Sequence, residues 1–298
     1  MNLLKKLRSK IYRTSPLLRK WWFFLQFIKN NKYIPNFKNP KTYNEKTNFR
    51  KNDPKNPLFS ICADKIKAKE YVAEQISPDI IIPNYYVGES ITFEQMKAIL
   101  AEHGDCLLKA NHNSGPVHLL NTESTDAEIK AAVDSTLDQL TDDFGKRLNE
   151  PWYSDIKRGV LVEKRLDPEP GESDIRDYKF HVFKQKDGTF KVVLGVYFDR
   201  GINVSATFFD ENMKWISLTY NYANIYTETL KPKSYERMIE ISKKLAEPFS
   251  YARIDLYNVN GDIYFGEITF ADGSGSAPFG TYAHDLWMGN LWQGDPRY

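Results

Sequence analysis

The sequence contains little cysteine, no long apolar run and almost no net charge, and each shortage excludes a class of protein. The two cysteines, Cys62 and Cys106, can form at most one bridge and lack zinc-ligand spacing, which excludes a disulfide scaffold and a cysteine zinc site. The most apolar cluster, residues 21–28, is much shorter than the ~20 residues that span a bilayer. A polytopic membrane protein is also excluded, because 27% of the 298 residues are charged.

The net charge of +2 conceals two parts of opposite sign. Residues 1–51 hold fourteen Lys and Arg and one acid, Glu45, for +13, and the remainder therefore carries −11. The basic part also contains the aromatic run 21–24. This composition predicts a basic helical segment that lies either on an anionic membrane or against the acidic body of the protein. We expect no nucleic-acid partner, since the acidic body would repel phosphate.

The rest of the chain mixes helical periodicity with hairpin patterns. Asn- and Pro-rich residues 30–57 indicate an irregular connection, and residues 80–82 a short strand that ends at a proline. Thr92 is placed to cap a helix. Helices are predicted over 57–76, 93–101, 125–148 and 234–246, and strands over 106–110, 159–163, 178–184, 190–198, 206–209, 215–218, 252–257 and 263–270. This combination favours an α+β fold with two lobes.

Two carboxylates stand out in the last predicted hairpin. Asp255 lies within an apolar strand and Glu267 within the strand that pairs with it. Buried like charges are unfavourable unless a cation lies between them, and Mg²⁺ bound to phosphate oxygens is such a cation. The alternative is one solvent-facing carboxylate on each strand, unrelated to the other.

A lysine lies near the end of another apolar strand. Lys109 is followed by a small polar loop that ends in glycine. This pattern suits phosphate binding, with a point charge from the lysine and backbone N–H groups from the loop residues Asn111, His112, Ser114 and Gly115. Neither a Walker A nor a dinucleotide-binding glycine spacing is present. The alternative is an ordinary strand-to-loop turn with a solvated lysine.

Two further features are weak when taken alone. The apolar strand at 159–163 is followed directly by the charged residues Lys164 and Arg165. This pattern is typical of a connection between lobes, whose backbone could bind an adenine edge. Lys179 alternates with aromatic neighbours in its strand, and its side chain therefore faces away from theirs, toward a cleft.

Two arginines complete the set of candidate groups. Arg200 follows a predicted strand, and Arg253 lies in the strand that carries Asp255. An arginine aimed at a transferring phosphoryl group would stabilise its developing charge. The alternative for either arginine is a surface ion pair.

The order of these features resembles the TupA-like ATP-grasp family of bacterial surface-polymer biosynthesis. A lysine strand, a polar loop, a charged connector, a second lysine strand and an acidic hairpin follow one another over residues 38–275. The stretches that carry the resemblance are PKTYNEK (40–46), ADK (63–65), YV (71–72), LKANHNSG (108–115), DYKF (177–180), RIDLY (253–257) and FGEITF (265–270). Each stretch is short, but their joint order is specific.

The resemblance implies two α+β lobes that bind ATP between them, with Mg²⁺ as a second cofactor. The third metal ligand is open between Thr269, where many ATP-grasp enzymes have Asn, and Asp272. The ribose-binding acid is open between Glu169 and Glu172. The predicted site comprises Lys179, Arg200 and Arg253 as catalytic groups; Lys109, Asn111, His112, Ser114, Gly115, Val162, Glu163, Lys164, Arg165, Glu172 and Lys179 as nucleotide-binding groups; and Asp255, Glu267 and Thr269 as metal ligands.

The activity implied by the resemblance is that of an ADP-forming carboxylate–amine ligase. Such an enzyme would form an amide through an acyl phosphate, from an amino acid or other amine and a uronic-acid carboxylate of a capsular or other surface polysaccharide. The alternatives are an ATP-grasp-type kinase acting on a glycan and a non-catalytic glycan-binding protein at the membrane surface.

The expected location and domain organisation follow from the same features. We expect a cytoplasmic protein, with peripheral contact at the inner face of the bacterial membrane as an option for the basic start. The expected divisions are a basic helical extension over 1–55, an ATP-grasp domain over 56–275 with its connector near 160–168, and a C-terminal tail over 276–298.

Overall fold

The computed structural model describes residues 15–169, 175–198, 204–226, 231–295 and 297, and these form two β-sheets with packed helices. The helices are α1 (Pro16–Asn31), α2 (Tyr43–Asn52), α3 (Leu58–Ala63), α4 (Lys67–Gln75), α5 (Phe93–His103), α6 (Asp126–Gln139), α7 (Phe144–Leu148), α8 (Tyr235–Ala246) and α9 (Tyr282–Leu291). The strands are β1 (Asn84–Gly88), β2 (Cys106–Ala110), β3 (His118–Leu120), β4 (Val160–Lys164), β5 (Asp177–Lys184), β6 (Phe190–Phe198), β7 (Ser205–Asp210), β8 (Trp215–Ile216), β9 (Ala223–Asn224), β10 (Tyr251–Val259) and β11 (Asp262–Thr269). No helix in the described ranges has the length and apolar character needed to cross a membrane.

The smaller sheet is antiparallel, with the strand order β1-β4-β2-β3. Its buried face packs against α5 and α6, where Cys106 and Leu108 of β2 point into an apolar core. Because side chains alternate along a strand, Leu107 and Lys109 point to the opposite face. The alternation of β2 therefore directs Lys109 out of the core of the small lobe.

The larger sheet has the strand order β11-β10-β5-β6-β7-β8, with β9 paired to β7. One face is apolar: Phe180 of β5 and Ile254 of β10 pack there against Met238 and Ile241 of α8. The other face is divided. At one end Tyr251 packs with α2 and α9 in a second apolar core, and at the other end the same strands present charged side chains. The site described below lies on this charged part.

The expectation of an irregular connection over 30–57 is wrong for Tyr43–Asn52, which form α2. This helix starts with a capping box between Thr42 and Glu45 and lies against α9. Its buried cations bond to carbonyl oxygens, with 3.0 Å from Lys46 Nζ to Gly289 O and 2.9 Å from Arg50 Nη1 to Tyr251 O. Sequence periodicity could not reveal α2, because its buried face is polar. The domain boundaries expected at residues 55 and 275 stay predictions. The contact of Lys46 with Gly289 joins segments outside both boundaries, and the contact of Arg50 with Tyr251 crosses the boundary at 55.

Other predicted elements also differ from the structure. The helix predicted over 125–148 is two helices, α6 and α7. The helix predicted over 57–76 is two helices, α3 and α4, separated at residues 64–66. Residues 78–80 form a 3₁₀ turn, and the strand expected at 80–82 begins only at Asn84, beyond Pro83. The capped start of α5 at Thr92, the helix α8 and the hairpins β5–β6 and β10–β11 are confirmed.

Candidate active site

A cavity of about 620 Å³ opens on the charged part of the larger sheet. Lys179, Arg253 and Glu267 line its floor, and Ser114 of the loop after β2 lies at its wall. A cavity of this size accommodates a small-molecule substrate, and its charged floor favours a phosphorylated or carboxylated one.

Strand register brings the charged residues of the floor together. Asp255 of β10 lies directly opposite Lys179 of β5 on one side and Glu267 of β11 on the other. Residues two apart in a strand share a face, so Arg253 and Thr269 lie next to this row and point the same way. Residues more than seventy positions apart in the chain thus form one polar patch.

Arg253 is the centre of that patch. Its guanidinium donates to both oxygens of Asp255, at 2.7 Å each, and to Glu267 Oε1 at 2.8 Å. A further bond joins Arg253 to Asp272, just beyond the end of β11. Although burial opposes the charged form, Asp255 and Asp272 hold the pKa of Arg253 well above its usual range. Arg253 is therefore a permanent, rigidly oriented cation beneath the cavity.

Lys179 is the second cation of the patch. It bonds to Asp255 and lies 2.7 Å from Asp177 Oδ2. Burial acts to lower the pKa of Lys179, but the attraction of Asp177 and Asp255 outweighs it and the pKa is raised. The acids of the patch, Asp177, Asp255, Glu267 and Asp272, outnumber its two cations, so it has room for another positive charge.

The oxygen donors of the patch fit Mg²⁺. Glu267 lines the cavity and Asp255 lies directly opposite it on β10. Mg²⁺ typically takes one or two carboxylates, with the rest of its ligands from phosphate and water. Within the described part of the chain, no group of three or more Asp, Glu, His or Cys is arranged as a complete metal site. Thr269 donates its hydroxyl to Glu267, and Asp272 is held by Arg253.

A second charged cluster lies in the small lobe, around Glu163 of β4. Lys109 bonds to one oxygen of Glu163, and Lys69 Nζ lies 2.5 Å from the other. Burial would raise the pKa of Glu163, but Lys109 and Lys69 lower it, so the carboxylate is charged at neutral pH. Lys65, in the break between α3 and α4, is close enough to interact with both Lys109 and Glu163. Lysines outnumber acids at this cluster, which suits an anionic ligand.

The predicted phosphate loop is held by its own side chains. The amide of Asn111 donates to Asp64 Oδ1 at 2.9 Å and accepts from the backbone N–H of Gly159 at 2.8 Å. His112 is buried, with Nε2 3.3 Å from the carbonyl of Asp142. Of the loop residues expected to bind nucleotide, Ser114 reaches the cavity wall, whereas Asn111 and His112 stabilise the loop.

The connector residues are part of β4 or follow it directly. Val162 is buried in the small-lobe core, Lys164 is exposed, and Arg165 lies 2.8 Å from Asp105. Glu169 accepts a hydrogen bond from the backbone N–H of Asn260, in the turn between β10 and β11. The predicted residues Glu172 and Arg200 lie outside the described residues.

The predicted site lacks, or holds only as an alternative, five charged residues of the two clusters and the cavity: Lys65, Lys69, Glu150, Asp177 and Asp272. Asp177 is two residues before Lys179, and strand alternation could have identified it. Lys65 lies in a stretch that carries the resemblance. Asp272 was an alternative metal ligand and is instead a partner of Arg253. Glu150, which lines the cavity, gave no signal in the sequence because it is brought there by packing between distant segments.

The TupA-like ATP-grasp family model matches residues 45–293. Similar solved structures include D-alanyl-alanine synthetase A of Vibrio cholerae, with 15% identity, a TM-score of 0.44, and coverage of 70% of this chain and 55% of that one. D-alanine–D-alanine ligase of Helicobacter pylori has 16% identity, a TM-score of 0.46, and coverage of 79% and 62%. The N5-carboxyaminoimidazole ribonucleotide synthetase of Thermus thermophilus has 14% identity, a TM-score of 0.39, and coverage of 76% and 51%.

This chain therefore spans 55% and 62% of the lengths of the first two structures. No curated protein sequence matches it. The family match covers most of the chain, including both charged clusters and the strands that carry them. It confirms the resemblance read from the short stretches, and it shows that the chain belongs to the TupA-like ATP-grasp family.

Proposed function

We propose that this protein is an ATP- and Mg²⁺-dependent carboxylate–amine ligase that releases ADP and forms an amide through an acyl phosphate. The observation that carries the proposal is the pair of charged clusters, one with excess lysine and one with excess carboxylate, in a chain of the ATP-grasp family. The phosphates of ATP carry the negative charge that complements the lysine-rich cluster, and Mg²⁺ carries the positive charge that complements the carboxylate-rich cluster. A free carboxylate is a poor electrophile, and phosphorylation provides it with a leaving group.

The residues of the two clusters have distinct roles in this reaction. Lys109 and Lys65 would bind phosphate oxygens from the small lobe, and Lys179 and Arg253 would stabilise the charge on the transferring phosphoryl group. Asp255 and Glu267 would hold Mg²⁺, which when bound neutralises phosphate charge. Since these groups are fixed by strand register before substrate arrives, their contribution is positioning and electrostatic stabilisation.

For the substrates, we infer a uronic-acid carboxylate of a surface polysaccharide or its precursor, and the amino group of an amino acid. The resemblance to surface-polymer enzymes supports the glycan. The cavity wall adds Tyr197, Asn221 and Tyr222, whose ring faces, hydroxyls and amide suit the apolar and hydroxylated surfaces of a sugar.

The proposal is tested by measuring ADP release with uronic-acid glycans crossed against amino acids. We expect release only when both a carboxylate and an amine are present, with the amide found by mass spectrometry. ADP release with a hydroxyl-bearing sugar, a phosphorylated product and no amide would instead identify a glycan kinase. A failure to bind Mg-ATP in calorimetry would favour a non-catalytic glycan-binding protein.

We also propose that the outer face of α1 contacts an anionic membrane. The inner face is anchored by the fully buried Phe27, whereas Leu17, Trp21 and Leu25 form an outer stripe with 71%, 63% and 54% of their surface exposed. The exposed Lys20 and Lys29 lie on the same helix as this stripe, and their charge is complementary to anionic lipid. Each basic residue near such a surface contributes about 1 kcal/mol.

The membrane proposal is tested by sedimentation with phosphatidylglycerol vesicles. The triple variant L17S/W21S/L25S should lose binding, and Leu119→Ser, which changes a half-exposed leucine elsewhere, should retain it. Unchanged binding of the triple variant would contradict the proposal. A concentration-dependent dimer that the same variant abolishes would show that a second copy of the chain covers the stripe.

A further inference from the structure

One carboxylate at the cavity belongs to neither charged cluster. Glu150 lies between α7 and the 3₁₀ turn at Pro151–Tyr153, and only 4% of its surface is exposed although it lines the cavity. Its Oε1 accepts a hydrogen bond from Ser274 Oγ at 2.5 Å. Among the described residues its carboxylate makes no other hydrogen bond, so Oε2 has capacity for a ligand.

A short segment connects Glu150 to the phosphate-binding floor. Ser274 follows Asp272 by two residues, a span of at most ~7 Å along the chain, and Asp272 holds Arg253. Gly273 and Ser274 both have φ of 54°, in the left-handed region. This turn directs Asp272 toward Arg253 and Ser274 toward Glu150. The Glu150 carboxylate and the Arg253 guanidinium therefore face one cavity from adjoining parts of its wall.

Within the part of the chain that the structure describes, one ammonium group lies near Glu150, and it bonds to other oxygens. Lys51 Nζ of α2 donates to the carbonyl and hydroxyl of Ser274, at 2.8 and 3.0 Å. Burial raises the pKa of Glu150, the Lys51 charge lowers it, and the charges of Asp272 and Glu267 raise it, with a net increase. A carboxylate in this state is a stronger base than one in water, and it attracts a cation.

Amide formation requires such a group. The amino group of an amino acid is an ammonium ion at neutral pH and cannot attack until it loses a proton. A carboxylate at the cavity wall would hold the ammonium by charge and remove that proton close to the acyl phosphate.

We propose that Glu150 binds the ammonium group of the incoming amine and accepts one proton from it, which frees the nitrogen lone pair to attack the acyl phosphate. The N–C bond forms, the bond between the acyl carbon and the phosphate oxygen breaks, and inorganic phosphate leaves with that electron pair. The nitrogen loses its second proton to the departing phosphate, and Glu150 releases the first proton to solvent. This assignment rests on the proposed ligase activity and adds the group that recognises its amine substrate.

The experiment compares two nucleophiles in the Glu150→Gln variant. The wild type and the variant are given Mg-ATP and the carboxylate found in the ADP-release screen, with either its amine partner or hydroxylamine. Hydroxylamine is uncharged at neutral pH and traps an acyl phosphate as a hydroxamate without prior loss of a proton. General-base catalysis contributes typically 10²–10⁴-fold. We therefore expect amide formation to fall by at least ~100-fold, with hydroxamate formation within a few-fold of wild type.

Ser274→Ala is the matched control, because it removes the hydrogen bond to Glu150 and keeps the carboxylate. It should retain most of the amide-forming rate. If Glu150→Gln lowers amide and hydroxamate formation equally, or lowers neither, the assignment is overturned. If the wild-type protein releases no ADP with any substrate pair, the proposed ligase activity fails first and the assignment fails with it.

Discussion

The two charged clusters differ in their balance of charge. Around Glu163 in the small lobe, Lys69 and Lys109 share one buried carboxylate, and Lys65 lies nearby. Around Arg253 in the large lobe, four carboxylates surround two cations. The small-lobe cluster has capacity for an anion, and the large-lobe cluster has capacity for a cation.

This difference shows how partly buried charges are kept stable before a ligand arrives. A buried ion without a partner is costly, so neither cluster consists of charges of one sign. Each is partly neutralised by its own residues, and the phosphates and Mg²⁺ would complete the neutralisation. If so, the two clusters should respond differently to the metal, which the following predictions examine.

The largest effect is expected at the carboxylate-rich cluster. Asp255→Asn keeps the size of the side chain but removes a charge that Arg253 and Lys179 both contact, and a ligand assigned to Mg²⁺. We expect turnover to fall by more than ~10³-fold, in the range of losing a main electrostatic group. Calorimetry with ATP should show that Mg²⁺ no longer strengthens binding. Retained turnover in a folded variant would remove the metal assignment.

A smaller effect is expected at the lysine-rich cluster. Lys109→Ala removes one charge-assisted bond to phosphate, which contributes about 1.5–3 kcal/mol, so ATP affinity should fall by roughly 10- to 100-fold. Unlike Asp255→Asn, the loss should be similar with and without Mg²⁺. Lys130→Ala, at an exposed position of α6, should leave affinity unchanged. If the loss of ATP affinity in Lys109→Ala differed with and without Mg²⁺, the small-lobe cluster would not bind the phosphates independently of the metal, and the proposed division of roles between the two clusters would be wrong.

The smallest effect is a pH dependence that originates at Lys65. Burial lowers the pKa of Lys65 from 10.5 to about 8, although the charge of Glu267 acts to raise it. At pH 9 the free protein therefore holds this amine mainly neutral, and phosphate binding would restore its proton. We expect ATP affinity to weaken by a few-fold from pH 7 to 9, with proton uptake detected by calorimetry in buffers of different ionisation enthalpy. The uptake should disappear in Lys65→Gln, and an unchanged uptake would place it at another group.

The sequence predicted the strands of the site better than the loops around it. Lys179, Arg253, Asp255 and Glu267 lie in apolar strands whose alternation is visible in the sequence, and the structure places all four at one patch. The loop after β2 is different. For this loop the sequence predicts phosphate binding by backbone N–H groups, which stays a prediction, and the structure shows in addition that the side chains of Asn111 and His112 stabilise the loop. Local pattern predicts the direction of a strand side chain, whereas a loop side chain depends on distant partners.

The sequence by itself determined the family, the α+β class and the direction of Lys179, because period-two alternation and hairpin turns are local properties. Only the tertiary structure decided that α2 is a helix buried by polar contacts. It also decided that Glu163 binds two lysines, and that Glu150 lines the cavity and accepts a hydrogen bond from Ser274. These features depend on polar groups paired across more than fifty residues. The apolar periodicity of a sequence contains no record of such pairs, since a buried charge and a solvated one look alike until the partner is known.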